Sequence, residues 1–210
     1  MGEFSIPEEY LGELVASKER IQSTVKRVAK EIYYSVDYVG KKPIFLCLRE
    51  GALPFHRDLT RELDGLSFAY ESAWLSTHHS YIGTEGSGEV QIYPYEGPSL
   101  DGRLVVIVED IIDSSETILK VCEYLDQQGV QQRNICTLLF KERPENIGWR
   151  NTGLNGYQHL PEVRHVGLFI APLFVVGYGL DYNQYGRDGE EVRELTPAGQ
   201  AWVEAQLSKS

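Results

Sequence analysis

The run LVVIVEDIIDSSETILKVCEYLDQQ, residues 104–128, decides the fold. Five consecutive β-branched or leucine side chains, Leu104 to Val108, make a short strand that must be covered on both faces. The polar turn EDIIDSS follows. ETILKVCEYLDQQ then has helical spacing of apolar residues and stops before Gly129. A second apolar run, NICTLLF (Asn134 to Phe140), completes a strand–helix–strand unit. Such units impose parallel pairing with a right-handed crossover.

The same alternation extends in both directions. Towards the N-terminus, Ile21, Val25, Val28 and Ile32 recur at helical spacing between Ser17 and about Asp37. PIFLCLR (Pro43 to Arg49) reads as a buried strand, and ALPFHRDLTREL as a helix ended by Asp64-Gly65. LSFAYESAWLS is a further strand, and Thr77 to Glu89, THHSYIGTEGSGE, is polar and glycine-rich like a long loop. Towards the C-terminus, VGLFI and FVVGYGL read as strands. TPAGQAWVEAQL reads as a last helix with Thr196 as N-cap and Pro197 at N1. The expected architecture is α/β, a mostly parallel sheet flanked by helices, with a small accessory element from the terminal segments. All 210 residues are expected to form one domain.

The bulk numbers exclude some functions. A formal net charge of −11 repels phosphate backbones, so no nucleic-acid partner is expected. No apolar run approaches the roughly 18 residues of a membrane span, and MGEFSIPEEY lacks a signal-peptide core, so neither a membrane nor an export signal is expected. Cys47, Cys122 and Cys136 are an odd number, far apart and in apolar surroundings. They read as buried reduced thiols of a cytoplasmic protein. His78 and His79 are adjacent and cannot easily share one metal, so they read as solvated loop residues.

The chemistry concentrates at the strand end after Val108. Ligands of open α/β sheets bind at the carboxyl ends of strands. There Glu109, Asp110 and Asp113 stand beside Ser114, Ser115 and Thr117 at the start of a helix. Helix-terminal N–H groups bind phosphate, and adjacent carboxylates accept sugar hydroxyls or help hold Mg²⁺. DSSET alone would also serve as a helix cap, but a cap needs one acceptor, not three acidic or hydroxylic positions in succession. Neither GxGxxG nor GxxxxGK[ST] occurs, which removes the dinucleotide and P-loop readings.

VVIVEDIIDSSET resembles the binding motif for phosphoribosyl pyrophosphate (PRPP) in type I phosphoribosyltransferases. The resemblance implies that Glu109 and Asp110 hold the ribose hydroxyls and that Asp113 is the general base near purine N7. It also implies that the loop with Ser114, Ser115, Glu116 and Thr117 binds the 5′-phosphate. Ser115 stands where the family usually has glycine, and Glu116 puts an acid inside the loop. A serine fits there with negative φ, whereas a left-handed backbone would cost roughly 1 kcal/mol or more.

FVVGYGLDYNQYGRD (Phe174 to Asp188) resembles the C-terminal signature of the hypoxanthine-guanine members. By that likeness Phe174 stacks on the purine and the Val175 backbone contacts it. Asp181 supports Mg²⁺ with Glu109 and Asp110, Arg187 meets pyrophosphate, and Lys141 donates to O6. Ser80 and Tyr81 match the family's active-site lid. LREGALPF stands where the pyrophosphate loop should be; there Gly51 aligns, Glu50 replaces a usual lysine or arginine, and Arg49 is the candidate substitute charge. The likeness covers about residues 43–188, with the core at about 43–170, and leaves 1–42 and 142–162 unassigned. It implies a Mg²⁺-dependent transferase acting on PRPP and a 6-oxopurine, assembled as a homodimer or homotetramer. A non-catalytic nucleotide-binding relative, or a transferase for xanthine or another base, fits the same motifs and is separated from it by turnover.

Overall fold

The computed structural model describes residues 4–79, 90–113, 115–143 and 163–209. Its main sheet contains β2 (Ile44–Arg49), β3 (Glu71–His79), β4 (Val90–Ile92), β5 (Leu104–Ile112), β6 (Gln132–Lys141) and β7 (Val163–Ile170), in the order β4-β3-β2-β5-β6-β7. Every pair is parallel except β3 with β4. From β2 the chain moves outward to β3, then returns to lay β5 on the other side. The order reverses between β2 and β5, which is where a crevice opens at the strand ends.

Alternation along the strands sorts the core into two layers. Phe45, Val106 and Val108 face α1 (Lys18–Tyr34) and α2 (Leu53–Gly65), where Ile21, Val25, Val28, Ile32, Phe55, Leu59 and Leu63 meet them. Ile44, Leu46, Val105 and Ile107 face α3 (Glu116–Gln127) through Ile118, Val121 and Leu125. The inner side chains are essentially inaccessible, and each contributes about 1.5–3 kcal/mol relative to exposure. The three cysteines are buried and free; burial pushes the thiols of Cys47 and Cys122 up to about 12.

The terminal segments form a second, antiparallel sheet in the order β1-β9-β8, from β1 (Leu11–Ala16), β8 (Val175–Val176) and β9 (Val192–Leu195). The last helix, α4 (Pro197–Leu207), is capped as expected: the Thr196 hydroxyl accepts the Gly199 N–H at 3.1 Å. Ser17 caps α1 in the same way at 3.2 Å.

Three expectations need correction. FVVGYGL is not a strand. Only Val175 and Val176 pair with β9, because φ is positive at Gly177, Tyr178 and Gly179, and that run coils the chain back into a turn. Thr77, His78 and His79 are not loop: β3 continues through them, pairing with Ile92, Gln91 and Val90. β5 also outlasts the apolar run and carries Glu109 to Ile112, since Glu109 and Ile112 still pair with Thr137 and Phe140. The lid residues Ser80 and Tyr81, and Ser114 of the phosphate loop, lie outside the described residues. No described helix is long and apolar enough to cross a membrane.

Candidate active site

The ends of β2 and β5 touch where the sheet reverses. A Cβ on Gly51 would lie 1.8 Å from Asp110 Oδ2, so only glycine lets the loop after β2 pass the carboxylate. The peptide Arg49-Glu50 immediately before it is cis. Glu109 is 7% exposed, and its Oε2 has no hydrogen-bond partner among the described residues. Its Oε1 accepts the Asp110 N–H at 3.2 Å, while Asp110 Oδ1 accepts the Ile111 N–H at 2.7 Å. Burial, and then the neighbouring Asp110, hold the Glu109 carboxyl well above the usual range. Burial raises Asp110 as well, against the opposing charge of Arg187. Two desolvated carboxyls, one with an unmatched oxygen, suit ligands that bring donors or positive charge.

The phosphate loop turns into α3 through Ser115, which adopts φ 67° and ψ −4°. The left-handed conformation proper to glycine is therefore kept by a serine. A helix start turns backbone N–H groups outward, an arrangement that can receive an anion. Thr117 is half-buried and Glu116 is exposed on that turn.

Asp113, beyond the end of β5, meets Lys141 from the end of β6. Lys141 Nζ lies 2.5 Å from Asp113 Oδ2, and Arg143 Nε lies 2.6 Å from Oδ1. Lys141 is 4% exposed and stands 5.9 Å from the Phe174 ring centroid. Phe174 presents a partly open face, supported edge-on by Tyr182 at 5.1 Å, and its carbonyl accepts the Leu195 N–H at 2.9 Å. Val175 is buried in β8. Thus Asp113, Lys141 and Phe174, far apart in sequence, come together as expected. Lys141, however, faces Asp113 directly, so each is engaged by the other.

At the other end Arg187 is the centre of a carboxylate group. Its Nη2 lies 2.7 Å from Asp181 Oδ1 and 3.8 Å from Glu50 Oε2, and its Nη1 donates to the Gly179 carbonyl at 3.1 Å. Gly179 presses on the loop after β2: a Cβ there would come within 2.1 Å of the Gly51 carbonyl, and its φ is +101°. Tyr178 fixes this turn to α2 by donating to Asp58 Oδ2 at 2.8 Å; Asp58 also faces Arg57 at 3.0 Å and Arg61 at 3.2 Å.

Two site expectations change. Arg49 is held by Glu96 at 3.2 Å over the Trp74 ring, so the positive charge facing Glu50 is that of Arg187. Glu109, Asp110 and Asp181 do not form one metal-binding cluster among the described residues, because Asp181 is engaged by Arg187. Mg²⁺ typically takes one or two carboxylates and completes its shell with water and substrate phosphate, and the Glu109–Asp110 pair with its unmatched oxygen fits that lesser demand. Sequence reasoning missed Arg143, Tyr178 and Glu96. Arg143 lies two residues after Lys141 but beyond the end of β6, in a turn closed by its N–H on the Lys141 carbonyl at 2.9 Å, so strand alternation gave no signal for it.

The comparisons bear on the family and the fold. The phosphoribosyl transferase domain family matches residues 14–150. A hypoxanthine-guanine phosphoribosyltransferase of Staphylococcus aureus is 31% identical over 189 residues, covering 89% of this chain and 95% of that protein. Among solved structures, a hypoxanthine phosphoribosyltransferase of S. aureus superposes with a TM-score of 0.73 at 29% identity, over 90% of this chain and 94% of the other. A Trypanosoma cruzi hypoxanthine phosphoribosyltransferase superposes at 0.77 and 26% identity, over 95% and 98%. Another structure of the T. cruzi enzyme, in complex with the product IMP, gives 0.73 at 25% identity, over 91% and 98%. With a reversing parallel sheet, a carboxylate pair at the reversal, and Asp113, Lys141 and Phe174 brought together, the chain belongs to the phosphoribosyltransferase family, among its hypoxanthine-guanine members.

Proposed function

We infer that the protein joins hypoxanthine or guanine to PRPP, giving the nucleoside 5′-monophosphate and pyrophosphate. The observation that carries this reading is the Lys141–Asp113 pair beside the open face of Phe174. One edge of a 6-oxopurine offers an acceptor, O6, next to a donor, N7–H. An ammonium beside a carboxylate is the complement of that edge, and adenine, with a donor at position 6, is mismatched to Lys141.

Phe174 stacks on the ring, Lys141 donates to O6, and Asp113 accepts the N7 proton. As that proton leaves, the N9 lone pair forms the bond to C1 of the ribose. The C1–O bond breaks, and pyrophosphate departs with the electron pair towards Arg187. Glu109 and Asp110 hold the ribose hydroxyls, and the N–H groups of the turn into α3 hold the 5′-phosphate. Most of the acceleration comes from orientation and from charges already in place. Glu109 and Asp110 would hold Mg²⁺ together with substrate oxygens, with Asp181 as a support once Arg187 turned to pyrophosphate, and the ion would supply positive charge to the leaving group. Cytoplasmic purine salvage as a homodimer or homotetramer is part of the same reading. The T. cruzi relative supports the oligomer, as its C-terminal region has a role in its oligomeric state and enzymatic activity.

Steady-state turnover with PRPP, Mg²⁺ and each of hypoxanthine, guanine, xanthine and adenine tests the reading. Nucleotide is expected from 6-oxo bases and not from adenine, and the same assay ranks xanthine against the other two. Asp113→Ala should lower kcat by about 10²–10⁴. Binding of PRPP or nucleotide without turnover on any base would make the protein a non-catalytic binder instead.

A further inference from the structure

Both carboxylate oxygens of Asp113 lie beside a cation: Lys141 donates a hydrogen bond to Oδ2 at 2.5 Å, and Arg143 Nε faces Oδ1 at 2.6 Å as an ion pair without hydrogen-bond alignment. A carboxylate so engaged can take the N7 proton only if one oxygen is released. The two cations are not equivalent. Lys141 is almost fully buried, ends β6 and lies against the ring of Phe174, so an arriving purine meets it directly and offers O6 in exchange for Asp113. Arg143 is more exposed, at 36% of its side chain, and follows β6 in a tight turn in which its N–H donates to the Lys141 carbonyl at 2.9 Å. Nothing in the chemistry of a 6-oxopurine calls it away from Oδ1.

We propose that Arg143 is a positioning residue for the reaction: it keeps hold of Asp113 Oδ1 while Lys141 transfers from Oδ2 to the base, so that the freed oxygen points at N7. The proposal rests on the transferase reading above. It divides the labour between two cations two residues apart. One is a reader that changes partner on binding; the other is an anchor that does not. Without the anchor, Oδ1 would lose its facing cation at the moment Lys141 leaves Oδ2, and misplacement of a reacting group by about 1 Å can cost 10²-fold in rate.

The test is kinetic, on the full chain, with Arg143→Met and Arg143→Lys. In Arg143→Met, kcat for hypoxanthine should fall roughly 10- to 100-fold while KM for PRPP stays within about twofold, because the ribose and phosphate contacts are elsewhere. Arg143→Lys, which restores a cation within reach of Oδ1, should recover most of the lost kcat. Thermal midpoints of both variants close to that of the parent would exclude misfolding as the cause. Three results overturn the proposal: full turnover by Arg143→Met, a lysine variant as slow as the methionine one despite normal folding, or a KM for PRPP that rises in step with the fall in kcat. If the parent chain itself forms no nucleotide, the transferase reading fails first, and the division of labour between Lys141 and Arg143 falls with it.

Discussion

Ser115 carries a strained backbone that its side chain does nothing to relieve by capping: φ is 67°, and the hydroxyl makes no cap hydrogen bond to α3. The turn into the helix is therefore enforced by what surrounds it, at roughly 1 kcal/mol relative to glycine. Glu50 is the second unusual residue, a carboxylate 3.8 Å from the arginine that should receive pyrophosphate. Since Glu50 is 60% exposed at its side chain, its hold on Arg187 is screened and amounts to about 0.2–1 kcal/mol. Glu50→Gln should accordingly lower KM for PRPP by roughly two- to fivefold with kcat nearly unchanged; a KM that rises would show that Glu50 helps the substrate rather than competing with it. Both departures were visible in the sequence as substitutions in a motif. Their conformations were not, because neither a φ angle nor the partner of an exposed side chain is encoded locally.

At the level of elements, the turn from Gly177 to Asp181 joins the two sheets. Tyr178 reaches across to Asp58 in α2, and Gly179 sits against the Gly51 carbonyl. Tyr178→Phe removes a hydrogen bond to a charged group yet leaves Asp58 its two arginines, so a loss of about 1.5 kcal/mol in stability is expected. Urea unfolding measures that loss. A raised KM for the purine should accompany it, as Phe174 and Arg187 flank the same turn; an unchanged KM would separate the anchor from the site. The central elements were legible because β2, β5 and β6 are continuous apolar runs and α1 to α3 keep a 3.6-residue period. β1, β4 and β9 were not, being three to six residues long with mixed burial, which gives too few alternations to register. FVVGYGL misled because apolar composition was read as strand where the run of positive φ from Gly177 to Gly179 decides the path. The site was legible where one motif supplied neighbouring residues, as at Glu109 to Thr117. It was not where a role depends on a distant contact, as with Arg49 and Glu96.

For the whole molecule, acid stability is expected to depend on a buried polar knot between the turn after α1, β6 and β7. His165 is 5% exposed, its Nε2 lies 3.1 Å from the Tyr38 hydroxyl, and that hydroxyl accepts from Asn134 Nδ2 at 3.1 Å. Burial lowers the His165 imidazole from 6.5 to about 4. The unfolded chain then binds a proton near pH 6.5 that the folded chain refuses until about pH 4. The contribution of this group is complete above pH 6.5, shrinks as pH falls through that window, and is gone below about 4, a change of the order of 3 kcal/mol. Urea midpoints of the parent should fall between pH 7 and pH 5 more steeply than those of His165→Gln. Equal slopes would show that other groups set the acid limit.

The accessory sheet also ties events in time. Gly12 and Arg193, bonded through a carbonyl and a guanidinium, are 181 residues apart, and β1 pairs with β9 while Gly186 N–H reaches the Phe4 carbonyl. During translation β1 emerges early and finds its partner only when β9 has been made. A nascent chain that has completed β7 already owns the parallel sheet and its carboxylate pair, yet it lacks Phe174, Arg187 and the strand that holds them. On the proposed function, the carboxylate pair at the reversal can thus take shape on the ribosome before β8 and β9 have been made, so that a chain stalled before β9 would have a cradle for the sugar donor and no means of using it.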